Sequence, residues 1–317
     1  MASPKNKHWL VCLGFFLTLS VIGQVRAQAE ITQSTIDKNT FRLQIGDSQL
    51  DVSIRDVVLL SRKDRLLEWV GYSAQAVHHY YGRFPVEHVD IFMEVTDGNR
   101  VRFGQAFGGE SPRLRIVVGE DITAEVLRRD WIMVHEMVHL AMADVPRNQR
   151  WLLEGLSTYV ESIARAQVGH LSEEFVWNGF ISRMHQGLPG TGDQGLDYTP
   201  TWGRTYWGGA MFCMLADVEI RKLSNNQKSL RDALRGILNA GYSMKASANA
   251  REIFEAGDRA TGYPVLVNLY QKMRANPTPE SLDPFWKMLG LSLENGGEVV
   301  YNDDASLAFV REKILKP

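Results

Sequence analysis

The chain has 317 residues, 44% of them hydrophobic, with 35 basic against 37 acidic side chains and a formal net charge of -2. That length and apolar content describe a globular protein with a sizeable core, as one large domain or two small ones. The near-neutral balance lacks the basic surplus that binding to a phosphate backbone brings, so nucleic acid is not an expected partner.

In chain order, Lys5 and Lys7 precede an apolar run from Trp9 to Ile22, and Val25-Arg26-Ala27 resembles a small-x-small cleavage site. Residues 1–27 therefore read as a signal peptide, with Gln28 as the mature N-terminus and an uncleaved anchor as the alternative. Neither this run nor any later one is long enough for a comfortable bilayer span. Export to the periplasm or the medium is expected either way, with no stable membrane span after cleavage. Cys12 falls in this segment, which leaves Cys213 alone in an apolar setting, a buried thiol without a disulfide partner.

Alternating apolar positions at Phe41, Leu43 and Ile45, then Leu50, Val52 and Ile54, predict two hairpin arms around Gly46-Asp47. Helical spacing follows from about Val57 to Tyr81, with Gly82 as its stop. Val89 to Val95 and Arg115 to Val118 read as strands. The glycine-rich segment 103–112 between them reads as a loop that Pro112 keeps from regular pairing. One long helix is expected from about Thr123 to Ala143, capped by Asp121, Thr123 or Asp130. Others are expected from about Arg150 to Val168, Ser172 to Met184 and Thr205 to Leu223. Residues 187–200, rich in Gly, Pro and Asp, form a long irregular loop of the kind that is more often functional than idle. The remainder reads as shorter helices broken at Gly241, Gly262, Pro277 and Gly290. The fold class is α+β: a small N-terminal mixed β-sheet with helices packed on it (28–122), then a mostly α-helical half (123–317).

The stretch His135-Glu136-Met137-Val138-His139 carries the chemistry. Histidines four apart project from one face of a helix, so two neutral imidazoles can share one metal ion. Glu136 projects about 100° round from His135, near such an ion but not on it, where a base meets a bound water. The same five residues also fit two packed histidines beside a solvated acid. Apolar flanks, Trp131 to Val134 and Leu140-Ala141, put much of the helix in the core. There, buried imidazoles and a carboxylate are costly unless something satisfies them. A zinc site needs a third protein ligand. Glu154 lies on the next predicted helix, and antiparallel packing across 144–150 brings it alongside the histidines.

His135-Glu136-x-x-His139 followed by Trp151-Leu-x-Glu154-Gly155-x-x-x-Tyr159-Val160-Glu161 resembles the gluzincin metallopeptidases, nearest the aminopeptidase N and glycyl aminopeptidase branches. The spacing to Glu154 is a few residues shorter than in the aminopeptidase N type. The resemblance implies one zinc ion on His135, His139 and Glu154, Glu136 as general base, and a peptide or protein as substrate. Tyr206-Trp207-Gly208-Gly209 looks like the Tyr-x-Lys-Gly setting of the oxyanion-stabilising tyrosine, with Gly208 in the lysine position. Glu161 resembles an acid that orients a ligand histidine. Asp130 reads as a cap or a similar orienting group, and Glu110 faintly as an amine-holding acid, although the full amine-anchoring motif is missing. Arg204 and Asp197 border Tyr206 in sequence and are candidates to line the cleft. The expected chemistry is peptide hydrolysis by a metal-activated water, with the strand near 115–118 pairing to substrate. The rival reading is a zinc-binding scaffold of the envelope without turnover.

Overall fold

The computed structural model describes Met1, residues 29–294 and residues 296–316. The signal segment and Cys12 lie outside the described residues.

Three strands open the fold: β1 (Ile31–Thr35), β2 (Thr40–Ile45) and β3 (Ser48–Ile54). A short helix α1 (Val57–Leu60) and the long α2 (Lys63–Tyr81) follow, the latter stopped by Gly82 at φ +79. Glycine there accepts the left-handed conformation that ends a helix. Next come β4 (His88–Thr96), β5 (Val101–Phe107) and β6 (Arg113–Gly119). The six strands form one mixed sheet in the order β1-β2-β3-β4-β6-β5. The β3–β4 and β4–β6 pairs are parallel and the others antiparallel. Its buried face alternates Phe41, Leu43, Ile45, Leu50, Val52, Ile54, Ile91, Leu114 and Ile116, and helices cover that face.

The helical part runs α3 (Ala124–Arg129), α4 (Ile132–His139), α5 (Arg150–Gln167), α6 (Glu173–Arg183), a π turn (Arg204–Gly208) and α7 (Gly209–Leu223). It continues with α8 (Leu230–Asn239), α9 (Ala250–Thr261), α10 (Val265–Met273) and α11 (Asp283–Leu289). A small hairpin, β7 (Leu291–Leu293) with β8 (Val299–Tyr301), and α12 (Ala308–Ile314) complete it. Helix α5 is central and packs on α2, α4 and α7. Among the described residues no helix is long and apolar enough to cross a membrane.

Three expectations are corrected. The long helix through 123–143 is two helices, because Asp130 takes an extended backbone (φ -62, ψ 141) and its carboxylate accepts from Met133 N–H at 3.1 Å. The cap thereby restarts the chain in a new direction. Residues 101–107, read in part as loop, form the edge strand β5. Strand β6, expected to offer itself to substrate, is paired on both sides, to β4 and to β5, so its main-chain groups are occupied. The sheet's two edge strands are β1 and β5, and β5 is the one beside α4.

Candidate active site

On the eight-residue α4, His135 and His139 lie one turn apart, both buried, with their rings edge to face at 4.8 Å. The chain turns at Pro146 through a short 3-10 segment and enters α5, whose second turn carries Glu154. Glu154 Oε2 sits 3.3 Å from His135 Nε2 and 3.5 Å from His139 Nε2. A tetrahedral ion bonded at roughly 2.0–2.1 Å holds its ligand atoms about 3.3 Å apart, so the donor set fits zinc in type and in spacing. One turn beyond Glu154, the fully buried Ser157 meets His139 Nδ1 at 3.2 Å, which fixes that ring. His135 Nδ1 is buried and without a hydrogen-bond partner.

The electrostatics follow from the burial. Burial pulls the His135 imidazolium down to about 4, against the opposing pull of Glu154. Burial alone would raise Glu154, but hydrogen bonds and charge from the two imidazoles hold it well below the usual carboxylate range. His139 is opposed by burial too, yet Glu154 and Glu136 outweigh it and raise its affinity for a proton. Glu154 is thus the anion around which both rings are arranged, and Arg150 adds a contact at 3.4 Å to its other oxygen.

The Glu136 carboxylate lies within 4.8 Å of ring nitrogens of His135 and His139 and also faces β5. Its pKa is raised, chiefly by burial, while His139 and a hydrogen bond from Ala106 N–H oppose the rise. A Cβ on Gly104 would lie 2.6 Å from Glu136 Cγ and 2.5 Å from Ile132 Cγ2, so only glycine lets the edge strand close on Glu136.

Tyr206 arrives from the opposite side. Its ring lies nearly parallel to His135 at 6.2 Å and to Trp202 at 5.6 Å. Burial, then the charge and hydrogen bonding of Glu154, push its phenol up to about 12. Two glycines bring it there. A Cβ on Gly155 would lie 2.2 Å from Gly209 Cα, and one on Gly209 2.2 Å from Trp151 O, so α5 and α7 cross with their backbones touching. Arg204 is a buried clamp: it pairs with Asp193 at 2.8 Å and donates to Gly187 O at 2.6 Å, tying the 187–200 loop to the π turn. Asp197 is a second buried anchor, accepting from Trp151 Nε1 at 2.8 Å and Tyr270 O–H at 2.7 Å.

Several sequence candidates fall elsewhere. Glu161 pairs with Arg165 at 3.2 Å and not with a ligand histidine, and burial pushes its carboxyl up to about 7. Asp130 is a helix cap. Glu110 is exposed and does not line the cleft. Conversely, Ser157, Gly104 and the wall segment Met244–Ser247 belong to the site without having been singled out, because no local motif marks them. A second metal-like cluster, Asp51, His88 and Asp90, lies on the open face of the sheet. There Arg42 already holds both oxygens of Asp51 at 2.7 Å.

The cleft is about 880 Å³, walled by β5 and by 244–247, with His135, Glu136, His139, Glu154 and Tyr206 lining it.

No family model matches the chain, and no curated protein matches it in sequence. Solved structures do match. An M1 zinc metallopeptidase from Deinococcus radiodurans superposes with a TM-score of 0.45 at 13% identity, over 78% of this chain and 53% of that one. Native yeast LTA4 hydrolase gives 0.48 at 13%, over 80% and 40%. The aminopeptidase N family protein of Idiomarina loihiensis gives 0.58 at 13% identity, over 84% of this chain and 50% of that chain. The chain thus spans about half the length of these proteins, and over that span it has the fold of the Idiomarina aminopeptidase N family protein.

Proposed function

We propose that the chain is an exported zinc-dependent peptidase. The observation that carries this reading is that Glu154 Oε2 lies 3.3 Å from His135 Nε2 and 3.5 Å from His139 Nε2, with a buried carboxylate, Glu136, beside them. His135, His139 and Glu154 would hold the ion. Zinc, when bound, supplies a Lewis acid that polarises a carbonyl and acidifies water. Glu136, raised in pKa by burial, takes a proton from the attacking water and returns it to the leaving amine. Tyr206, with its proton held firmly, donates to the carbonyl oxygen as negative charge develops there. The open edge of β5 aligns the substrate main chain, and Gly104 keeps that edge close to Glu136. The fold shared with the Idiomarina protein supports the assignment.

The test is zinc content and hydrolysis of a peptide library by the wild type and by Glu136→Gln. Equal zinc in both, with activity lost by roughly 10²–10⁴ in the variant, is the expected result. Zinc bound with the same negligible activity in both identifies a binding protein instead. Export is tested separately, by locating the chain in cell fractions and sequencing its mature N-terminus.

A further inference from the structure

The active site is not the end of a pocket. A second hollow of about 920 Å³, bordered by Arg147, Tyr198 and Trp202, meets the first at Arg150, Glu154 and Tyr206. Glu154 and Tyr206 therefore border two hollows, each with room for chain. Tyr198 and Trp202 are exposed there, 55% and 61%, as ready apolar platforms.

The charges of the groove are one-sided. A free α-amine is a cation near neutral pH and needs a carboxylate to hold it. Of the lining carboxylates among the described residues, Glu154 is engaged by two imidazoles and Asp197 by Trp151 and Tyr270. Glu136 accepts from Ala106 N–H. Only Asp144, exposed on the far wall, is left. Against it stand Arg102, Arg113, Arg147 and Lys245, all exposed and distributed over both hollows, and Arg150, which also contacts Glu154 at 3.4 Å.

We infer that the groove takes internal segments of acidic polypeptides, which makes the enzyme an endopeptidase and not an aminopeptidase. This rests on the peptidase reading above. The basic groups steer and hold acidic side chains. The open second hollow accommodates the chain beyond the scissile bond.

The test uses the zinc-loaded chain and internally quenched peptides in matched pairs: free or acetylated at the amino end, with Glu or Lys flanking the cleavage position. Acetylation should change kcat/KM by less than about threefold, and Glu peptides should be cut about tenfold faster than Lys peptides. Arg102→Glu with Arg147→Glu, both exposed, should erase that preference. Acetylation lowering kcat/KM by about 100-fold or more would overturn the inference. So would a rise in KM confined to free-amine peptides in Asp144→Asn. If the wild type cuts nothing beyond the level of Glu136→Gln, the peptidase reading itself fails. Fluorescence anisotropy of labelled acetylated peptides on Glu136→Gln then still decides the groove: tighter binding of the Glu peptide supports an acidic ligand, and equal binding refutes it.

Discussion

Gly104→Ala adds one methyl group at the point where the edge strand touches the proposed base. The new Cβ would lie 2.5 Å from Ile132 Cγ2, 2.6 Å from Glu136 Cγ and 2.9 Å from Glu136 Oε1. Carbon atoms pack at about 3.5–4.0 Å, so about 1 Å must be found. The Ile132 methyl can give by rotation. Glu136 Cγ is one bond from its Cβ on a buried helix, so either its side chain changes rotamer or β5 backs away from α4. Overpacking of this kind costs about 1–3 kcal/mol. For a chain of this size that is about 1.5 °C of Tm per kcal/mol. The catalytic effect should be larger, because a misplacement of about 1 Å in a reacting group costs on the order of 10²-fold. The three atoms nearest the methyl belong to Ile132 and Glu136, not to His135, His139 or Glu154, so zinc content should stay at the wild-type level. The assay is kcat and KM on one peptide, with zinc stoichiometry and thermal unfolding on the same preparation. A variant with kcat within about threefold of wild type and an unchanged Tm would refute the claim that Gly104 sets the distance between strand and base.

Three further outcomes are expected. Ser157→Ala removes the hydrogen bond to His139 Nδ1 and should weaken zinc binding by about 10–100-fold, read by competition with a chelator. Gly209→Ala places a Cβ 2.2 Å from Trp151 O and 2.8 Å from Gly155 Cα. It should part α5 from α7, lower Tm, and reduce kcat through Tyr206 more than it raises KM. Glu161 has its carboxyl raised by burial from 4.5 to about 7. Between those values the folded chain keeps a proton that the unfolded chain releases, so stability falls as pH rises through the window. Denaturant unfolding of Glu161→Gln from pH 4.5 to 7 should show a shallower decline than the wild type.

Much of the site was legible because its parts are local. Histidines four apart need only a helix to share a face, and α4 is a helix. Glu154 needed only a short turn before the next helix, which Pro146 and the 147–149 segment provide. The tyrosine turn was visible in Tyr206-Trp207-Gly208-Gly209, although not the reason for its glycines, which is the crossing with α5. What escaped depends on partners far along the chain. Residues 103–107 look like a loop until β6 pairs with them, and Gly104 looks like turn chemistry until Glu136 lies against it. Which strand stands at the edge is a matter of sheet order, and β6 was chosen from pattern alone although β5 lies outside it. Glu161 has the right helical spacing from Glu154, but Arg165, one turn further on, holds it. Asp130 broke a continuous apolar pattern by a backbone choice that periodicity does not record.

The position of β5 also bears on edge-to-edge association between copies of the chain. An unpaired strand at the end of a sheet is a template on which identical molecules can polymerise. Here that template is shortened and distorted: the ladder slips between Val101 and Phe103, Gly104 interrupts its side-chain row, and Arg102 stands beside the slip. Recessed under α4 and the 244–247 wall, it admits a single slender chain more readily than the flat flank of another sheet. The feature that invites a guest thus also makes this edge a poor template for a second copy.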